Sequence, residues 1–311
     1  MEQLIKSTAA YKILCGEAKE GRLAHSYMLV FADGANMRAA LKIFAKVIFC
    51  CKDGDKLSGK IDRETYPDCK IYPQGDKKFT VEAVSDLIAD SALKPTEGSK
   101  KLYVISGFEE CSAVVQNKLL KVLEEPPEGI CFLLGASTAA PVLPTIKSRV
   151  HMLEIPPFTA DEIYAALERE RPYGGYNRRA AESCGGILGA AQSLAGGAFA
   201  EINSAALELC TATTYEKAGE LSLKYADSKY KKQIIAEAER LFFTALKTTV
   251  TGAADYDSQQ ICKAWNKNTL IFAAESYGRA QADLKFNAYF SALIYNLMLG
   301  VIQENDKWLK L

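Results

Sequence analysis

The sequence predicts an α/β domain followed by all-α structure, on three observations. Between Ser26 and Ile155 short apolar runs alternate with helical patterns. Beyond Pro172 neither proline nor strand-like alternation occurs. Pro156-Pro157 and Gly196-Gly197 punctuate the chain between these regimes. Alternation of strand and helix implies a parallel sheet with helices on both faces.

The elements follow in order. Strands are expected at Ser26–Phe31, Cys69–Tyr72, 102–105, 131–135 and 152–155. Their apolar runs are continuous, as in strands covered on both sides. Helices are expected at 39–50, 81–93 and 112–125. In the last, Ser112 can cap the first turn, and Val115, Leu119, Val122 and Leu123 form one apolar stripe. Pro126-Pro127 ends it. Thr159 and Glu162 have capping-box spacing and open a small helical unit. Further on, Ile234, Ile235, Ala238, Leu241, Phe242 and Ala245 keep helical spacing, as do Phe286, Tyr289, Phe290, Leu293 and Leu297. The expected domains are 1–156, 157–197 and 198–311.

Composition excludes some classes. The chain has 311 residues, 49% hydrophobic and 24% charged, as in an ordinary globular protein. Lys plus Arg and Asp plus Glu are 38 each, so the broad positive field of a protein that grips nucleic acid alone is lacking. No apolar segment of signal-peptide length opens the chain. The longest apolar stretch, 288–302, is too short for a bilayer and carries Ser291 and Asn296, so a cytoplasmic location is expected. Nine scattered cysteines are odd in number and read as reduced, mostly buried thiols.

The turn after the first strand is where a phosphate-binding loop G-x-x-x-x-G-K-S/T belongs. The corresponding residues run Phe31-Ala32-Asp33-Gly34-Ala35-Asn36-Met37-Arg38. Phe31 and Asn36 replace the two glycines, Met37 the phosphate lysine and Arg38 the magnesium hydroxyl; only Gly34 remains, mid-loop. The third strand should end in acidic residues that hold magnesium. Ser106 and Gly107 stand there instead, and Glu109-Glu110 come too late and read as a solvated pair. Two losses in sequence-distant parts of one site predict no ATP hydrolysis.

Four stretches carry a family resemblance: Arg22-Leu23-Ala24-His25-Ser26-Tyr27, Tyr66-Pro67-Asp68, Gln116 through Pro127, and Leu143-Pro144-Thr145-Ile146-Lys147-Ser148-Arg149. With weaker support from Ala280 to Leu284 and Asn287, the chain resembles the delta prime family of bacterial DNA polymerase III clamp-loader subunits. The resemblance implies an AAA+ sheet domain, a small helical lid and a helical collar within a five-subunit ring that loads the sliding clamp in DNA replication. The implied partners are the gamma/tau ATPase subunit and the delta subunit, with the clamp and primer-template DNA contacted indirectly. The implied role is a component of the polymerase III holoenzyme without ATPase activity of its own. Ser148-Arg149-Val150 matches the family's Ser-Arg-Cys, which makes Arg149, beside Ser148, the candidate trans arginine finger. Gln116, Asn117 and Lys118 are the candidate DNA contacts.

Departures from the family matter. Cys50 fits the first place of the four zinc thiolates that many members carry, but 52–66 holds no cysteine and Cys69 falls late, so no zinc is expected. Ala190 stands where active relatives place a sensing arginine after the glycine, in a stretch that also reads as a helix-to-helix turn. No zinc and no hydrolysed ATP are therefore expected as cofactors. His25 and His151 read as structural, and Lys229, Tyr230, Lys231 and Lys232 as a solvated face. The rival readings are a clamp-loader-type ATPase with an atypical site and a diverged AAA+ scaffold in another complex.

Overall fold

Burial of the continuous apolar runs sets the sheet. The computed structural model describes residues 1–52, 54–74, 79–172, 174–252, 256–283 and 289–309. They form two compact units, Met1–Ser193 and Leu194–Leu311.

The first unit opens with α1 (Glu2–Ser7) and α2 (Ala9–Lys19). Then come β1 (Ser26–Phe31), α3 (Gly34–Ile48), α4 (Lys56–Asp62), β2 (Cys69–Tyr72), α5 (Val81–Ser91) and β3 (Lys101–Ser106). A 3-10 turn (Phe108–Glu110) leads to α6 (Ala113–Glu124), β4 (Ile130–Ala136), α7 (Pro144–Lys147) and β5 (His151–Ile155). Three short helices follow: α8 (Ala160–Glu170), α9 (Asn177–Ser183) and α10 (Leu188–Ser193). The strands lie parallel in the order β2-β3-β4-β1-β5. All seven residues of β4 are buried, which is why its sequence shows no alternation. This is the expected parallel α/β sheet domain, with helical structure after it.

The caps behave as their residue types dictate. The Ser112 hydroxyl accepts from the Val115 amide, and Thr159 and Glu162 form the reciprocal capping box. Val115, Leu119, Val122 and Leu123 are buried together. Gly185 and Gly186 take φ of 62° and 81°, left-handed values that suit glycine, in the turn before α10.

The second unit is helical among its described residues: a π-type turn at Leu194–Ala198, then α11 (Phe199–Cys210), α12 (Tyr215–Lys224), α13 (Lys231–Thr251), α14 (Tyr256–Ala264), α15 (Lys267–Asp283) and α16 (Phe290–Leu309). Phe242 and Tyr277 pack ring to ring at 5.2 Å, and the Trp265 indole donates to the Cys210 carbonyl at 2.6 Å. Lys229 lies over the Tyr230 ring and Lys231 over Phe290. Among the described residues no helix is long and apolar enough to cross a membrane.

Two expectations need correction. The stripe of α16 is Phe290, Ile294, Met298, Val301 and Ile302, whereas Tyr289 is 87% exposed. Tyr289 precedes the helix, so helical periodicity does not govern it. Phe286, Leu284 and Asn287 lie outside the described residues. Second, α3 begins at Gly34 rather than 39, because Asp33 caps it.

Candidate functional site

The early start of α3 decides the geometry at the carboxyl ends of the strands, where ligands sit in open α/β sheets. Only Ala32 and Asp33 separate β1 from α3. The eight residues expected as a loop are thus the end of a strand, a two-residue join and the first turn of a helix. Their amides are partly engaged: Gly34 donates to the Ala32 carbonyl, and Asn36 to the Asp33 carbonyl.

Asp33 itself is 1% exposed. Its Oδ1 accepts from the Asn36 amide at 3.2 Å. Its Oδ2 accepts from the Asn36 side chain at 2.8 Å and from the Gly189 amide of α10 at 2.7 Å. Asn36 also donates to Gln192 at 3.1 Å. Gly189 has to be glycine here, since a Cβ would lie 2.5 Å from Asp33 Oδ1 and 2.8 Å from the Ala35 Cβ.

The other replaced residues have separate engagements. Met37 is 3% exposed and faces β4: a Cβ on Gly135 would lie 2.9 Å from its sulfur. Arg38 forks onto Glu64 and donates to the Pro73 carbonyl. Arg38 first, then Lys42, holds the Glu64 carboxyl down to about 2 against the opposing effect of burial. Phe31 is buried in the sheet. Gly34, Met37, Arg38, Ser106 and Gly107 line one cavity of about 730 Å³, so the two sequence-distant stretches do converge. Gly107 takes φ 71°. Glu109 is not a solvated acid: its Oε1 accepts from the Ser137 amide at 3.0 Å and from the Ser137 hydroxyl, tying the end of β3 to that of β4. The sequence hides this because the partners lie 28 residues apart.

Arg149 sits elsewhere, just past α7, in a surface hollow with His25, Leu123, Glu124, Ser148 and Val150. Its guanidinium donates to the Thr145 carbonyl at 2.9 Å, to Ser148 Oγ at 3.2 Å and to Glu124 Oε1 at 3.1 Å. Its side chain is 30% exposed and Glu124's 57%. An exposed pair of this kind is worth about 0–1 kcal/mol, so another anion can displace Glu124 at little cost. Val150 is buried.

The three candidate DNA contacts separate. Gln116 is 2% exposed: its amide donates to the Cys111 and Pro141 carbonyls, and its oxygen accepts from the Leu143 amide at 2.9 Å. It is a staple between α6 and the loop leading to α7, which corrects its expected outward role. Asn117 and Lys118 are exposed, with Lys118 bonded to Ser85. His151 also gains a partner that its neighbours in sequence do not provide. Its Nδ1 lies 3.1 Å from Glu17 Oε1, and its ring stacks on Tyr27, whose hydroxyl bonds the same carboxylate.

The cysteines are free thiols, five of them buried and Cys50 exposed. Among the described residues no group of His, Cys, Asp and Glu is placed to hold a metal ion. Ala190 lies in α10 next to Gly189.

Residues 6–159 match the family described as DNA polymerase III, delta subunit. A delta' subunit of Bacillus subtilis is 30% identical over 155 residues, and one of Haemophilus influenzae 31% identical over 135. Over the matched stretch the chain is delta prime-like. The matched part is about half of this chain, and it spans 46% and 41% of those two relatives. The tau subunit of Escherichia coli is 28% identical over 156 residues, covering 48% of this chain and 24% of its own length. Among solved structures, a gamma subunit-related protein of Thermotoga maritima aligns over 94% of this chain and 99% of its own, at 15% identity and a TM-score of 0.40.

Proposed function

We propose that this delta prime-like chain is a non-hydrolysing, cytoplasmic subunit of a clamp loader, which scaffolds the ring and lends Arg149 to the ATP site of a neighbouring gamma/tau-type subunit. The delta subunit is the other proposed partner, and Asn117 and Lys118 are proposed to approach the DNA backbone. The domain organisation expected from the sequence, with a lid at 157–197 and a collar from 198, belongs to the same reading.

The closed join between β1 and α3 carries the reading. A phosphate cradle needs free amides, a lysine and a metal-binding hydroxyl. This segment offers a carboxylate, a core methionine and an arginine already paired with Glu64. No nucleotide and no zinc is expected to bind. Arg149, by contrast, stands at the surface with an easily exchanged partner. A guanidinium delivered across an interface stabilises charge on the transferring phosphate and makes hydrolysis depend on assembly.

Reconstitution with gamma/tau and delta subunits tests this. Arg149→Ala should leave assembly intact and lower ATPase of the complex by about a thousandfold at the neighbouring site, the low end for arginine fingers. Unchanged turnover removes the assignment. Turnover by the isolated chain with magnesium and ATP would favour an atypical ATPase instead.

A further inference from the structure

In nucleotide-binding loops, orphan amides at a helix start hold the oxygens of an anionic ligand. Here that position is filled from within. The Asp33 carboxylate is almost fully buried, and it meets donors from two helices. Oδ1 takes the Asn36 amide of α3; Oδ2 takes the Asn36 side chain and the Gly189 amide in the first turn of α10. A second link, Asn36 to Gln192, runs beside it, and Gln192 in turn donates to Glu170 of α8 at 2.7 Å. The approach is so close that any side chain at 189 would collide with the carboxylate.

We propose that Asp33 is a built-in anion that takes the place of a ligand phosphate and clasps α10 onto the start of α3. Release of α10 and opening of an anion site at residues 34–36 are then one event. The chain excludes phosphate by self-occupancy, in addition to lacking the lysine. The clasp rests on these contacts alone and stands whether or not Arg149 acts in trans.

Amide hydrogen exchange of the full chain reads the clasp. In Asp33→Asn an NH2 group meets donors where an oxygen accepted. Exchange across 188–193 should quicken about tenfold or more, while β1 and β4 amides keep their rates. Gly189→Ala attacks the same contact from the other side and should have the same effect; either variant suffices if the other fails to fold. Asp33→Gly keeps a tolerated cap residue and empties the site. In that variant inorganic pyrophosphate should protect the amides of 34–36, and in the unaltered chain it should not. Unchanged exchange at 188–193 in the folded variants overturns the proposal. So does equal pyrophosphate protection of the unaltered chain, or none in Asp33→Gly.

Discussion

Replacing Gln116 separates two roles for α6. In Gln116→Ala the Cys111 and Pro141 carbonyls and the Leu143 amide lose their partners inside a site 2% exposed. Three bonds at about 1 kcal/mol net each give a loss of about 3 kcal/mol, and a stranded buried amide alone costs about 1–3 kcal/mol. That is a large share of the roughly 5–15 kcal/mol that holds a typical domain. With a slope of about 3 kcal/mol per molar urea, the midpoint falls by about 1 M. Urea unfolding read through amide protection of β4 reports the sheet unit by itself. Lys118→Ala is the control: an exposed site, expected within about 0.5 kcal/mol of the parent. A Gln116→Ala midpoint that matches the parent, together with lost DNA affinity in the reconstituted loader, would refute the staple and restore the outward-facing role.

Other expectations follow from buried chemistry. Asp90 collects Lys101 at 2.7 Å, Lys70 at 2.8 Å and the Tyr103 hydroxyl at 2.6 Å. Burial raises its carboxyl, but these donors outweigh that and bring it down from 3.8 to about 2. A depressed carboxylate stabilises the fold above its unfolded value, so about 2 kcal/mol should be present at pH 5 and lost as pH falls from about 4 to 2. Acid titration of Asp90→Asn should lack that step. Gly186→Ala would place a Cβ 2.6 Å from Pro157 and 2.8 Å from the Phe158 carbonyl, at a left-handed backbone; a loss of about 1–3 kcal/mol in urea unfolding is expected. Iodoacetamide at pH 8 should label exposed Cys50 first, whereas Cys69 and Cys111, which burial pushes up to about 12, should stay unmodified until the chain unfolds; equal labelling by mass spectrometry would contradict this.

The sheet was legible because β1, β3 and β4 are buried almost throughout and run continuously apolar at their centres, whereas the edge strands β2 and β5 alternate buried and more open positions. The stops and caps at Ser112, Pro126 and Thr159 act within a few residues, so local spacing reveals them. The site was read less well where partners are remote. Asp33, three residues before Asn36, was a readable cap, and giving it weight would have moved the start of α3 back to Gly34. Its second partner, Gly189, lies 156 residues away, and no local pattern announces it. Gln116 misled for a related reason. A glutamine beside an apolar stripe looks outward unless the carbonyls that fix it, 5 and 25 residues distant, are known. Glu124 as the holder of Arg149 is likewise hidden by a separation of 25 residues.

The brevity of the join between β1 and α3 is a property of main chain, and main chain cannot be altered by exchanging one side group for another. Putting lysine back at 37 would bring a charge to a core position without lengthening the path around a triphosphate. The first turn of α3 would have to unwind before any such chemistry could begin. If the proposed role holds, a domain built this way would be expected to keep one posture while its neighbours cycle, a fixed post against which the moving parts turn.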